Sequence, residues 1–505
     1  MSKTTPQKGF LGWIERVGNK MPHPMLLFIY LILIVMALSA VISMAGIALI
    51  NPANGEEVRA YNLLSIDGLL FWAKTFIDNY QAFPVLSVVI ILGLATAICE
   101  KTGFFSAAIR MSLLNVKGSG LVFFISFVSM FGVAIGDASM VLIPTLAAAI
   151  FYGTGRNPIA GIFCAYAAVG ASFGTQLVPG TFDPTLTPIT IAAARLMNPD
   201  FDLPLLSGFY LLFLAAFIIP VLNTIVTVKI IEPRLGAYTG TPEGIEEKGE
   251  VTAEERKAVK KAAYVLGLFL AFIVVACIPS NSFFRGPTGS LVVGAPLMNS
   301  MRTIMMLSFL LPGLTYGICL KKITSVKDLY NLMVEGMKGL AGFAVLGITI
   351  GQFLVLFAKS NLGTMLSIAG GNWLRSMNMP TQIIVIAFFI FVLFINLFII
   401  SGATKYLIFA PIFVPMFMQL GLHPSLVQAT YKIADGMTNA LSPLNSMFIV
   451  LLALCNRYDK KVGMGTIFSS MLPYSTVFTL VMGAVLMIWV FFNLPLGISG
   501  QIYLN

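Results

Sequence analysis

Five ionisable side chains stand where a charge is costly. Asp137, Asp183, Lys405, Lys432 and Asp435 all fall inside long apolar stretches. A charge at membrane depth costs about 2.5–3.5 kcal/mol on insertion scales, so each marks a function by default. Asp137 follows Gly136 at a break in an apolar run; it can hold a proton or a cation, or cap a returning half-helix. Asp183 lies in the stretch Gly170 to Pro184, rich in Gly, Pro and hydroxyls. It reads as a group that changes protonation or cation occupancy, or more plainly as a cap. Lys432 and Asp435 are three apart and share a helix face. They read as a neutralising ion pair, or as a pair for which substrate or a proton competes. Lys405 could attract an anionic substrate or snorkel toward the outer surface.

Neutral groups accompany them. Thr175, Gln176, Asn396, Thr438, Asn439 and Asn445 can supply uncharged ligands or interhelical hydrogen bonds. Tyr406 can stack on an aromatic substrate or simply pack. His23 and His423 each precede a proline near an expected membrane boundary, and neither reads as a proton carrier. No P-loop, His-Glu-x-x-His or Gly-rich nucleotide fingerprint occurs, so primary pumping has no support. No cofactor is expected beyond a coupling ion, a proton or sodium, with sodium placed near Asp183, Asp435 and Asn439.

The elements that must hold these groups are membrane helices. The chain of 505 residues is 58% hydrophobic and only 10% charged, with a mean hydropathy of +0.91; soluble domains carry about 25% charge. The net charge of +10 is dispersed in short clusters between apolar runs, which excludes a nucleic-acid surface and fits membrane topology. Five cysteines lie in or beside apolar segments without metal spacing, and disulfides are not expected. Residues 1–24 do not read as a cleavable signal.

A span needs about 20 apolar residues. Nine are expected, near 24–50, 83–99, 158–190, 204–228, 263–279, 300–319, 336–358, 424–456 and 467–492. Two further stretches, 119–153 and 381–420, are too long for one crossing and are interrupted at Gly136-Asp137-Ala138 and Ser401-Gly402-Ala403-Thr404. These read as re-entrant hairpins. Residues 232–261, with seven acids and six bases, read as a solvated cytoplasmic linker between a first half (1–231) and a second half (262–505). The basic clusters then share one face, which places the N-terminus in the cytoplasm and the C-terminus outside.

The halves repeat each other at an offset of about 265 residues. Gly136-Asp137, Pro144, Asn157-Pro158 and Thr175 to Pro179 correspond to Ser401-Gly402, Pro411, His423-Pro424 and Thr438 to Pro443. The copies are inverted, the first hairpin opening to the cytoplasm and the second to the outside. Inverted repeats with interrupted helices point to a secondary transporter whose site lies where the breaks converge.

Several strings carry a family resemblance: Gly12 to Lys20 (GWIERVGNK), Pro22-His23-Pro24, Ile231 to Gly236 (IEPRLG), Ala410 to Met418 (APIFVPMFM), Arg457 to Lys461 (RYDKK) and Met471 to Tyr474 (MLPY). They resemble the p-aminobenzoyl-glutamate transporter (AbgT-type) family of the ion-transporter superfamily, over nearly the whole chain. The resemblance implies a homodimer of protomers with nine transmembrane helices and two opposed hairpins. It also implies a proton-driven traffic in p-aminobenzoyl-glutamate or sulfonamide antimetabolites. Family site positions fall on Asp183, Asn396, Pro424, Asp435 and Pro443, which match. Departures stand at Tyr406 (family Trp), Ala403 (Ser) and Lys432 (Arg), and Lys405 replaces an uncharged residue of some members. Tyr keeps the stacking capacity of Trp, whereas Lys lacks the bidentate grip of Arg on a carboxylate.

The function expected is therefore secondary active transport of a small anionic, aromatic-containing metabolite across a bacterial inner membrane, with no enzymatic activity and no nucleic-acid partner. The alternatives are a passive channel, which needs a continuous polar lining, and an intramembrane aspartyl protease. The latter suffers because Ala134-Ile135-Gly136-Asp137 lacks the first Gly of Gly-x-Gly-Asp and no Tyr-Asp partner occurs in an apolar span.

Overall fold

The structure is a computed structural model that describes residues 23–50, 55–81, 83, 85–113, 120–136, 138–178, 180, 182–240, 251–292, 295–399, 401–442 and 446–504. Among the described residues there are twenty α-helices, and the only paired strands are a short antiparallel ribbon, β1 (Ala48–Ile50) with β2 (Glu57–Arg59). Among the described residues seven helical stretches are long and apolar enough to cross a membrane. Two interrupted helices complete the expected nine. The fold is an all-α polytopic membrane protein.

Helix α1 (Pro24–Met44) shows how burial adds a direction that composition lacks. It is apolar all round, yet Phe28, Ile32, Val35, Met36, Ser39 and Ala40 are buried at helical spacing while Leu33, Ile34, Leu38 and Val41 are exposed. The buried stripe packs on α14 (Val326–Lys359) and the other face is left for lipid. Around this pair stand α2 (Ile66–Gln81), α3 (Leu86–Thr102), α4 (Phe104–Leu113), α12 (Ala253–Cys277) and α13 (Pro296–Cys319). Together they form a scaffold in which α14 touches α1, α2 and α3, and α13 touches α3 and α12.

Three sequence expectations change here. The span expected to begin at residue 83 is preceded by α2, a helix that Asp67, Lys74 and Asp78 disguise. Those three charges are exposed, while on the inner side the Gln352 amide oxygen accepts from Trp72 Nε1 at 3.0 Å and Asn79 Nδ2 at 2.8 Å. Helix α15 (Leu362–Ser376), absent from the expected spans, follows the left-handed Asn361 and buries Leu362, Met365 and Ile368. Residues 253–261, expected as solvated linker, are the first turns of α12. Thr252 and Glu255 cap each other reciprocally, Arg110 pairs with Glu255 at 2.8 Å, and Ala258 and Ala262 pack against Ala107 and Tyr316.

The remaining helices form two copies of one unit. The first has α5 (Leu121–Ser129) and α6 (Gly132–Ile135), a tip, and α7 (Ser139–Gly153). Then come α8 (Pro158–Ser172), a break, α9 (Phe182–Ala194) and α10 (Phe209–Val226). A π-turn over Thr227–Ile231 carries α10 into α11 (Glu232–Leu235). The second copy has α16 (Thr381–Asn396), a tip, α17 (Gly402–Gln419), α18 (Pro424–Asn439), a break, α19 (Ser446–Asn456) and α20 (Met464–Phe491). The main packings in one copy have counterparts in the other: α7 on α8 as α17 on α18, α5 on α8 as α16 on α18, α10 on α5 as α20 on α16, and α9 on α17 as α19 on α7. A two-fold relation between the hairpins requires this pattern.

The tips and breaks follow from local chemistry. Gly136 ends the first arm at φ +80, ψ −155, a region open essentially to glycine alone. At the second tip Ser401 caps α17, its hydroxyl accepting from the Thr404 N–H at 3.3 Å and from the Thr404 hydroxyl at 2.8 Å. The two copies meet where α8 and α18 cross. A Cβ on Gly436 would lie 2.3 Å from the Gly174 nitrogen, and one on Gly174 would lie 2.8 Å from the Lys432 carbonyl oxygen. Small residues let membrane helices approach backbone to backbone.

Candidate functional site

Asp183 sits in the first turn of α9, just past the break, where free N–H groups and the helix dipole favour a carboxylate. Its Oδ1 accepts a 2.5 Å bond from Lys432 Nζ. Both side chains are buried, and Asp183 Oδ2 has no hydrogen-bond partner among the described residues. The pair joins the two copies across 249 positions of sequence.

A second pair lies within the later copy. Lys405 Nζ donates to Asp435 Oδ1 at 2.5 Å and also to Asn396 Oδ1. Asn396 Nδ2 donates to the Asp435 carbonyl and to Thr438 Oγ1, each at 2.8 Å. Two lysines and two aspartates thus leave the buried cluster neutral, as a low-dielectric site demands.

This pairing corrects the reading of Lys432 and Asp435 as mutual partners. They share a helix face, but Lys432 reaches α9 and Asp435 takes its cation from α17, because α18 packs against both of those helices. The snorkelling reading of Lys405 also fails. The side chain is 0% exposed and turns inward. Asp183 and Asp435 each take a lysine rather than each other.

Tyr406, fully buried, packs its ring 4.6 Å from that of Tyr431, and its hydroxyl shares a 2.7 Å bond with Thr190. Thr190 donates to Gln428 Oε1 at 2.6 Å, and Gln428 Nε2 donates to Thr187 at 3.0 Å. This hydroxyl–amide chain ties α9, α17 and α18 together. Gln428 is one turn before Lys432, a spacing that could have revealed it; Thr187 and Thr190 carried no signal beyond polarity in a buried segment.

A cavity of about 420 Å³ lies where the tips and breaks converge. Gly136 and Gly402 come from the tips, Phe173 and Phe182 flank the first break, and Asn439 and Met447 flank the second. Ala403 and Asp435 also line it. Lys405, Lys432, Asp183, Asn396 and Thr438 lie behind this wall. The two phenylalanines were missed by the sequence reading, since aromatic residues in an apolar run look like core. Their rings meet edge to face at 6.1 Å.

The other expected residues fall elsewhere. The Thr175 hydroxyl returns to the Ser172 carbonyl at 3.0 Å. The Gln176 amide is buried with neither atom hydrogen-bonded among the described residues. Pro424 opens α18 at its far end, beneath the His423 cap. Asp137, Pro443 and Asn445 lie outside the described residues. Among the described residues no group of three His, Cys, Asp or Glu side chains could hold a metal ion.

Comparison with known proteins adds to this geometry. The AbgT putative transporter family profile matches residues 9–504. The chain is 34% identical over 495 residues to the p-aminobenzoyl-glutamate transport protein of Escherichia coli strain K12, across 98% of this chain and 97% of that protein. Among solved structures it is similar to the YdaH transporter of Alcanivorax borkumensis, described as having an unusual topology (TM-score 0.89, 31% identity, 94% of this chain and 100% of that one). It is likewise similar to MtrF of Neisseria gonorrhoeae, described as illuminating a class of antimetabolite efflux pumps (TM-score 0.91, 31% identity, 97% and 100%).

Proposed function

The chain belongs to the AbgT putative transporter family, and from that premise we propose that it is a secondary active transporter of a small anionic, aromatic-containing metabolite. Candidates are p-aminobenzoyl-glutamate, which the Escherichia coli relative is named for, and antimetabolites of the sulfonamide kind. The reading rests on one observation: a single cavity touches both hairpin tips and both helix breaks and has Asp435 in its wall.

Phe173 and Phe182 offer the cargo an aromatic face at the first break, and Asn439 offers an amide at the second. Asp435 in the wall would repel a carboxylate if it were bare. Paired with Lys405 it presents a neutral couple, and a carboxylate arriving from the cavity can compete for the ammonium. Engagement of the cargo thereby loosens the bond between α17 and α18, and the Lys432–Asp183 bond holds the two copies together until it too is exchanged. A proton or sodium taken by the released carboxylate would couple that exchange to a gradient. The site is proposed to work in a homodimer in the inner membrane, N-terminus in the cytoplasm and C-terminus outside; the basic clusters at Lys101, Lys229 to Lys261, Lys321 and Lys460 support that orientation.

The test is a proteoliposome screen of p-aminobenzoyl-glutamate, sulfonamides, dicarboxylates and dipeptides, each under an imposed proton or sodium gradient. Gradient-dependent accumulation of an aromatic anion is expected. Equilibration without accumulation would make the protein a channel, and no flux of any compound would end the reading.

A further inference from the structure

Lys405 faces two oxygens, Asn396 Oδ1 and Asp435 Oδ1. Asn396 spends both amide protons, on the Asp435 carbonyl and Thr438 Oγ1, so only its Oδ1 remains to face the Lys405 ammonium. The carboxylate Oδ1 of Asp435 completes a pair of hard oxygens, one neutral and one anionic, the donor type that monovalent and divalent hard cations select. The place lies in the last turns of α18, which ends at Asn439, where the helix dipole adds negative potential. Interrupted membrane helices hold cations at such C-terminal ends. The carboxylate also opens on the central cavity.

We propose that the Lys405 ammonium is a built-in substitute for a free sodium ion at the Asn396–Asp435 site, so that this protein is independent of sodium. The ammonium and sodium each bring one positive charge to one carboxylate, and the cluster is neutral with either. Removing the ammonium leaves Asp435 buried without its cation, in a cradle whose amide oxygen is already oriented. The functional consequence rests on the transport reading given above. The binding claim does not, because it is read on protein that need move nothing.

The experiment compares wild type, Lys405→Met and the double variant Lys405→Met/Asp435→Asn, purified in detergent at constant pH. Each is unfolded thermally in NaCl up to about 200 mM and in equal choline chloride, where a specific ligand raises Tm saturably. Wild type and the double variant are expected to respond equally to both salts, and Lys405→Met to gain a sodium-specific rise of about 2 °C or more. A sodium-specific rise in wild type would overturn the proposal. So would a Lys405→Met protein indifferent to sodium, or one that folds in neither salt. A failed cargo screen leaves these readings standing, and the two failures are thus separable.

Discussion

The two copies of the repeat agree in backbone and differ in chemistry. In the first, Asn157 caps α8 ahead of Pro158, accepting from the Ile159 N–H at 3.0 Å, and its amide donates to the Gly236 carbonyl. In the second, His423 caps α18 ahead of Pro424, accepting from the Ser425 N–H at 3.2 Å, and its own N–H donates to the Ile502 carbonyl. Each corner is tied down by the segment that follows its own copy. Toward the cavity the likeness ends. The second copy brings Asn396, Lys405, Lys432 and Asp435; the first brings Asp183 and the hydroxyls of Thr187 and Thr190. A two-fold frame offers two equivalent places for ligands, but a cargo without two-fold symmetry needs only one set. The corners therefore stay alike while the breaks diverge.

The hardest blow to this comparison comes from crossing the ion pairs. Asp183→Ala and Asp435→Ala each strand a buried lysine and should cost about 3–5 kcal/mol of thermal stability. Adding Lys432→Met should restore stability to Asp183→Ala and not to Asp435→Ala. The opposite rescue would mean that the pairing runs within α18 after all. Next in size is the crossing of the copies. Gly436→Ala drives a methyl group into the Gly174 backbone and should cost about 3 kcal/mol. Gly421→Ala, at φ +75 with open space around it, should cost about 1 kcal/mol. Equal losses in a denaturation series would deny that the copies lock at that point.

The corner caps sharpen the likeness. Asn157→Ala and His423→Ala should each lower stability by about 1 kcal/mol, and a marked inequality would show that one corner carries more of the fold. The smallest effect is expected at Tyr406. Tyr406→Phe removes one hydroxyl from the chain through Thr190 and Gln428 and should cost below about 1 kcal/mol, with aromatic cargo still bound. A loss confined to aromatic cargo would mean that the hydroxyl leaves Thr190 to contact it during the cycle.

Much of this was legible in the residues. Prolines at 24, 158 and 424 mark helix starts because proline costs nothing at a position whose N–H is unbonded anyway. Gly136 and Ser401 mark the tips by their permitted backbone and capping chemistry. Helices α2 and α15 were not legible, since exposed polar residues such as Asp67, Lys74, Asp78, Asn372 and Arg375 interrupt them and neither forms an uninterrupted apolar run. Asp183 and Lys432 each declared themselves through their apolar surroundings; their pairing did not.

Composition, break positions and basic clusters are local properties, and they determined that the chain is a membrane protein with two opposed helix-break-helix units. Which lysine meets which aspartate was decided only in three dimensions. Spacing along a helix fixes the direction in which a side chain leaves the axis, whereas its partner depends on which helix lies in that direction. For Lys432 that helix carries Asp183, 249 residues earlier in the chain, and no periodicity within α18 encodes it.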